Sequence, residues 1–106
     1  MSVIVTLRMK ADSSRLEEIA AQDPERVKSI ASRAQEAGVI AHRFYGSDDG
    51  QIMVIDEWPD AQSFHGFFEA QASQIQPLMQ DAGVQGPPEV TVWEKLETGD
   101  DIGWGA

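Results

Sequence analysis

From Val3 to Lys10 the side chains alternate, Val3, Val5, Leu7 and Met9 on one side and Ile4, Thr6, Arg8 and Lys10 on the other, which predicts a first strand. The period then changes to three and four. Ser14 and Glu17 have the spacing of a capping box, and Leu16, Ile19 and Ala20 form the inner face of the helix they open. Asp23-Pro24 interrupts it with the residues of an N-cap and first helical position, so either a second helix starts there or one helix kinks. Val27, Ile30, Ala31 and Ala34 carry the next apolar stripe, and Gly38 is placed to end it in the left-handed conformation. Val39 to Tyr45 is a second strand, GSDDG a hairpin loop, and Gln51 to Trp58 a third strand stopped by Pro59-Asp60. A helix follows with Phe64, Phe67 and Phe68 facing inward, restarting near Ser73 and running through Ile75, Leu78 and Met79 to Gly83. Gly86-Pro87-Pro88 reads as an extended linker and Glu89 to Leu96 as a fourth strand.

The order β-α-β-β-α-β is the split βαβ, ferredoxin-like arrangement, an α+β fold with helices on one face of a four-stranded antiparallel sheet. The domain spans residues 1–97, and residues 98–106 form an acidic, glycine-rich tail carrying Ile102 and Trp104. The strands are apolar on both sides at their centres. The third places Ile52, Val54, Asp56 and Trp58 opposite Met53, Ile55 and Glu57, and the fourth Val90 and Val92 opposite Thr91 and Trp93. Such a sheet is expected to be covered on its second face as well, most economically by another copy of the chain in a homodimer.

Composition narrows the function. With 8 Lys and Arg against 18 Asp and Glu, the formal net charge of -10 sets the chain against phosphate backbones and anionic lipid, so neither nucleic acid nor membrane is an expected partner. The absence of cysteine removes disulfides, thiolate metal sites and cysteine nucleophiles. The N-terminal apolar run VIVTL is too short for a signal peptide, and a cytoplasmic location is the expectation. Trp58-Pro59-Asp60 spells the acid loop of tyrosine phosphatases, but without a cysteine it is structural: tryptophan ends a strand and Asp60 caps a helix.

His42 and His65 are the candidate proton-transfer groups, and neither has further ligands at metal-site spacing. His65, beside Phe64, is placed at the margin of the inner helical face. His42 and Phe44 share one face of the second strand and Arg43 and Tyr45 the other. A cross-strand pair of Arg43 or Arg8 with Asp56 or Glu57 is the expectation for these charges, the alternative being an acid in a dry cavity acting as a base. Phe44, Trp58, Phe64, Phe67, Phe68 and Trp93 either pack the core or line an apolar pocket for a flat ligand, with Arg8 and Asp56 as its polar contacts.

The hairpin and third strand GSDDGQIMVIDEW, ending in an acid and a tryptophan, and the phenylalanine-bearing helix entered through PDAQSF resemble the dimeric α+β barrel superfamily. Within it, the resemblance is to the small proteins grouped with antibiotic biosynthesis monooxygenases, and it covers roughly residues 3–96. It implies a homodimer with a pocket between sheet and helices. The activities it brings are cofactor-independent oxidation of polycyclic aromatic molecules, haem degradation, and lactone or aldoxime chemistry. Trp58 matches the tryptophan of the haem-degrading members. Their first-strand asparagine is missing, since Thr6 and Arg8 stand there, and His65 falls two positions early, where Phe67 would be their histidine. The expectation is therefore a cofactor-free monooxygenase acting on a small aromatic or polyketide-like molecule, with His65 or His42 assisting deprotonation. The alternatives are a non-catalytic small-ligand-binding or stress-associated homodimer, and a dimer with a filled core whose acidic surface or tail binds a protein.

Overall fold

A computed structural model describes residues 1–104; Gly105 and Ala106, the end of the expected tail, lie outside the described residues. The elements are β1 (Val3–Lys10), α1 (Ser13–Gln22), α2 (Pro24–Glu36), β2 (Ala41–Gly46), β3 (Gln51–Trp58), α3 (Ala61–Ala70), α4 (Ala72–Asp81) and β4 (Gln85–Glu94). The antiparallel sheet has the order β2-β3-β1-β4, with β1 hydrogen-bonded on both sides. This is the expected α+β, ferredoxin-like fold.

Local chemistry explains the element ends. The cap of α1 is Asp12, not Ser14: its carboxylate accepts from the Ser14 amide at 3.0 Å and the Ser14 hydroxyl at 2.7 Å, placing Ser14 inside the first turn. A carboxylate is the stronger acceptor and also complements the positive end of the helix dipole. Asp23 separates two distinct helices and caps the second, with Pro24 at its start. Gly38, at φ +109°, lets the chain leave α2 so that the Val39 amide closes on the Ala34 carbonyl at 2.9 Å. That bond keeps Val39 out of β2, which starts two residues later than the sequence pattern suggests. Gly46 has no room for a side chain, because a Cβ there would lie 2.8 Å from the Ser13 Cβ.

The largest departure is β4. It runs through Gly86-Pro87-Pro88, the expected linker, and stops at Glu94, before Leu96. An edge strand tolerates prolines, which have no N–H to donate. The register shift opposite Arg8 and Lys10 absorbs the misfit in a bulge-like irregularity.

The helices cover one sheet face. Val5, Leu7, Ile52, Val54 and Trp58 meet Leu16, Ala34, Phe64 and Leu78 there, and all nine are buried. The other face carries Ile4, Thr6, Met53, Ile55, Tyr45 and Trp93. Trp93 donates its indole N–H to the Thr6 hydroxyl at 2.9 Å yet remains 53% exposed. No helix of the described residues is long and apolar enough to cross a membrane.

Candidate functional site

The site grows out of the β2-β3 hairpin. Ser47 holds the loop: its hydroxyl donates to the Asp49 carboxylate and accepts from the Gln51 amide at 3.1 Å, and its own amide bonds the Gln51 carbonyl at 2.9 Å. With Gly46 opposite Ile52, Phe44 falls across from Val54 and His42 across from Asp56, all four on the helix-covered face. Asp56 is 5% exposed and accepts two hydrogen bonds. His42 Nδ1 lies 2.6 Å from its Oδ1, and Trp58 Nε1 donates to its Oδ2 at 3.1 Å. An ionised carboxylate can only accept, so it draws the imidazole proton to Nδ1 and leaves the lone pair on Nε2. Each Asp56 oxygen thus accepts one hydrogen bond, and His42 Nε2 has no partner among the described residues.

Beside this pair is a cavity with about 80 Å³ open to the centres of water-sized molecules. The sheet supplies Leu7, Val54, Phe44, His42 and Asp56. Three α3 phenylalanines, Phe64, Phe67 and Phe68, make one wall, and residues of α2 and α4 such as Ile30, Ala34 and Met79 close it. Phe64 and Phe68 stack with centroids 5.4 Å apart, and Phe44 meets the His42 ring edge-on at 5.3 Å. No lysine or arginine lines the cavity.

The sequence candidates therefore divide. His42, Phe44, Asp56, Phe64, Phe67 and Phe68 come together around the cavity. Trp58 is fully buried one layer behind, tilted against Phe67 at 5.4 Å and touching the site through Asp56. His65 is exposed on α3 with its ring against Phe64 at 5.2 Å, outside the cavity lining. Trp93 and Arg8 belong to the opposite face, because strand side chains alternate with period two. The same alternation keeps Arg8 and Arg43 from Asp56, whereas Glu57 lies on their own face and the expected pairs with it are replaced by other partners. Arg8 donates to Gln51 Oε1 at 3.2 Å, Arg43 to the Tyr45 hydroxyl at 3.3 Å, and Glu57 accepts from Ser2 at 2.5 Å. The α2 and α4 walls had been legible only as apolar stripes; nothing in their spacing distinguishes lining from core. Among the described residues no three His, Asp or Glu side chains are grouped to hold a metal ion.

No protein-family model and no curated protein matches the sequence. Solved structures do match. A monooxygenase from the gene ActVA-Orf6 of Streptomyces coelicolor, in complex with nanaomycin D, is similar with a TM-score of 0.69 at 16% identity, over 92% of this chain and 89% of that one. SnoaB, a cofactor-independent oxygenase from Streptomyces nogalater, is similar with a TM-score of 0.62 at 16% identity, over 94% and 98%. A dimeric ferredoxin-like protein from an uncultured marine organism gives 0.64 at 15% identity, over 91% and 89%. The chain thus has the ferredoxin-like fold seen in structures of antibiotic biosynthesis monooxygenase-like proteins.

Proposed function

We propose that this protein is a cofactor-independent monooxygenase-like enzyme that oxidises a small aromatic molecule in the cavity between sheet and helices, working as a homodimer. The observation that carries the reading is the His42–Asp56 pair, held by Trp58 and opening on an aromatic, cation-free chamber. Oxygenation without a cofactor takes its electrons from the substrate, which must first be made electron-rich by losing a proton. A base and a dry chamber are the minimum equipment. His42 Nε2 is the base in this reading, Asp56 stabilises the imidazolium that forms, and Phe44, Phe64, Phe67 and Phe68 hold the ring. A phenolate with a free ring C–H can then react with dioxygen to give a quinone and one water. Both oxygen atoms and all four electrons are accounted for by substrate and dioxygen.

The homodimer is supported by the uncovered sheet face, where Tyr45 and Trp93 stand exposed beside half-buried Ile4, Met53 and Ile55. A second copy is the economical cover. The direct test is oxygen uptake with a panel of hydroxylated aromatics and anthrones, with chelator present and no flavin. Uptake that His42→Asn abolishes and His65→Ala leaves intact is the expected result. Uptake insensitive to His42, or lost with His65, overturns the assignment of the base. Ligand binding without any oxygen uptake turns the reading into the non-catalytic one, a small-ligand-binding dimer using the same cavity.

A further inference from the structure

Size and donor count in the cavity narrow its ligand beyond the activity class, on the premise that this cavity is the binding site of the oxygenase reading. A dry cavity of about 150 Å³ lined by aliphatic and phenyl groups holds benzene. Here about 80 Å³ is open. Its walls are not loose: Phe64 and Leu78 are buried to within 3% exposure, and the Phe64–Phe68 stack braces one side. The enclosed part takes at most one aromatic ring, and anything larger projects through the mouth past the half-exposed Phe44. A fused tricycle would leave most of its apolar surface in water, so the cavity gains little from the additional rings.

The polar equipment is equally limited. The ionisable side chains in the lining are His42 and Asp56, and both oxygens of Asp56 are already bonded. Of these polar atoms, the ring nitrogen without a hydrogen-bond partner among the described residues is His42 Nε2, and with Nδ1 protonated toward Asp56 it accepts. A carboxylate ligand would bring two acceptor oxygens beside the Asp56 charge, with no arginine or lysine to receive them, and would lose its hydration on entry. An uncharged ring with a single hydroxyl loses little hydration and has one hydrogen to donate.

We propose that the cavity selects an uncharged, single-ring phenol whose one hydroxyl donates to His42 Nε2 while its ring packs against Phe44 and the α3 phenylalanines. Phenol O–H and imidazole Nε2 are the two partners of one hydrogen bond, and proton transfer along it gives phenolate and an imidazolium already paired with Asp56.

Calorimetric titration of the intact protein with four probes tests this: 4-methylphenol, 4-methylanisole, 4-methylbenzoate and 1-hydroxyanthracene. Loss of one hydrogen bond in a buried site weakens binding by roughly tenfold, so 4-methylphenol is expected to bind at least tenfold more tightly than 4-methylanisole, with 4-methylbenzoate and the tricycle weaker still. In His42→Asn, whose side chain can still donate to Asp56 but is too short to replace Nε2, the preference for 4-methylphenol over 4-methylanisole is expected to vanish. Equal or tighter binding of 4-methylbenzoate overturns the single-donor argument. Binding of 1-hydroxyanthracene with no binding of 4-methylphenol overturns the single-ring limit but leaves the oxygenase reading standing; failure of all four probes overturns both. The comparison among probes uses the unaltered protein, so it decides the matter even where the variant fails to fold.

Discussion

Replacing Asp56 with asparagine changes one atom and should change the tautomer of a histidine. In the native chain both carboxylate oxygens accept, from His42 Nδ1 at 2.6 Å and Trp58 Nε1 at 3.1 Å. An asparagine has one oxygen and one NH2. The indole can only donate, so the amide oxygen must turn to Trp58 and the NH2 to His42. Nδ1 then has to accept, the imidazole proton moves to Nε2, and the Nε2 lone pair is lost. The stability cost is modest. Two charge-assisted bonds worth roughly 1.5–3 kcal/mol each become neutral ones worth about 0.5–1.5 kcal/mol. Removing a carboxylate that is 5% exposed returns part of that difference as relieved desolvation. The net loss is about 1 kcal/mol, or a fall of roughly 4–5 °C in melting temperature for a chain of this size. Asp56→Ala, which strands the buried indole N–H, should cost about 3 kcal/mol. Long-range proton–nitrogen NMR of the imidazole, paired with urea unfolding at one protein concentration, measures both effects. An Asp56→Asn protein in which His42 still carries its hydrogen on Nδ1, or one as unstable as Asp56→Ala, would refute the argument.

Other outcomes follow from the same structure. Phe64→Ala, at 1% exposure between Trp58 and Phe68, should lower unfolding free energy by about 3–5 kcal/mol in urea titration. Gly38→Ala, forced to φ +109°, should lose about 1 kcal/mol by the same measurement, a larger penalty than Ala37→Gly in the adjoining cap. Bonds from the Ser63 amide and hydroxyl hold the Asp60 carboxyl below its ordinary value of 3.8. Its contribution is therefore complete above that value and fades as pH falls through the lowered one. Asp60→Ala should melt earlier than the parent at pH 7, with the gap closing below about pH 4 in thermal scans. On the proposed homodimer, Trp93→Glu, placing a charge on the uncovered sheet face, should shift sedimentation toward the monomer while leaving the circular dichroism spectrum unchanged.

The strands and helices were legible because burial imposes a period and capping imposes a residue type. Val5, Leu7, Val54 and Trp58 alternate as a half-covered sheet requires, and Asp23, Gly38 and Asp60 stand where helices must begin or end. The element order followed, and with it the fold. The misread ends have local causes. Asp12 accepts the Ser14 amide and so draws Ser14 into the first turn, Val39 is held by a helix carbonyl, and an edge position lets β4 run through two prolines.

The site was only half visible. His42, Asp56 and the α3 phenylalanines all stood out by type, and strand parity groups His42 with Phe44, and Asp56 with Val54 and Trp58. Within the second strand parity also separates Arg43 from His42, whereas excluding Arg8 and Trp93, natural members of the site by charge and aromaticity, took the register of the whole sheet. What parity does not supply is the partner. The register that sets His42 opposite Asp56 depends on how the Ser47–Gly50 loop closes, a matter of a few hydrogen bonds at Ser47. The cavity depends on contacts farther still: whether Phe64, Phe67 and Phe68 meet each other or leave a gap is set by how α2, α3 and α4 pack on the sheet. Local periodicity and capping act over three or four residues, and for that reason the sequence by itself determined the elements and their order. Pairing register and interhelical packing join residues dozens of positions apart, so only the tertiary structure decided that two ordinary strand residues become a hydrogen-bonded histidine–carboxylate pair beside an open chamber.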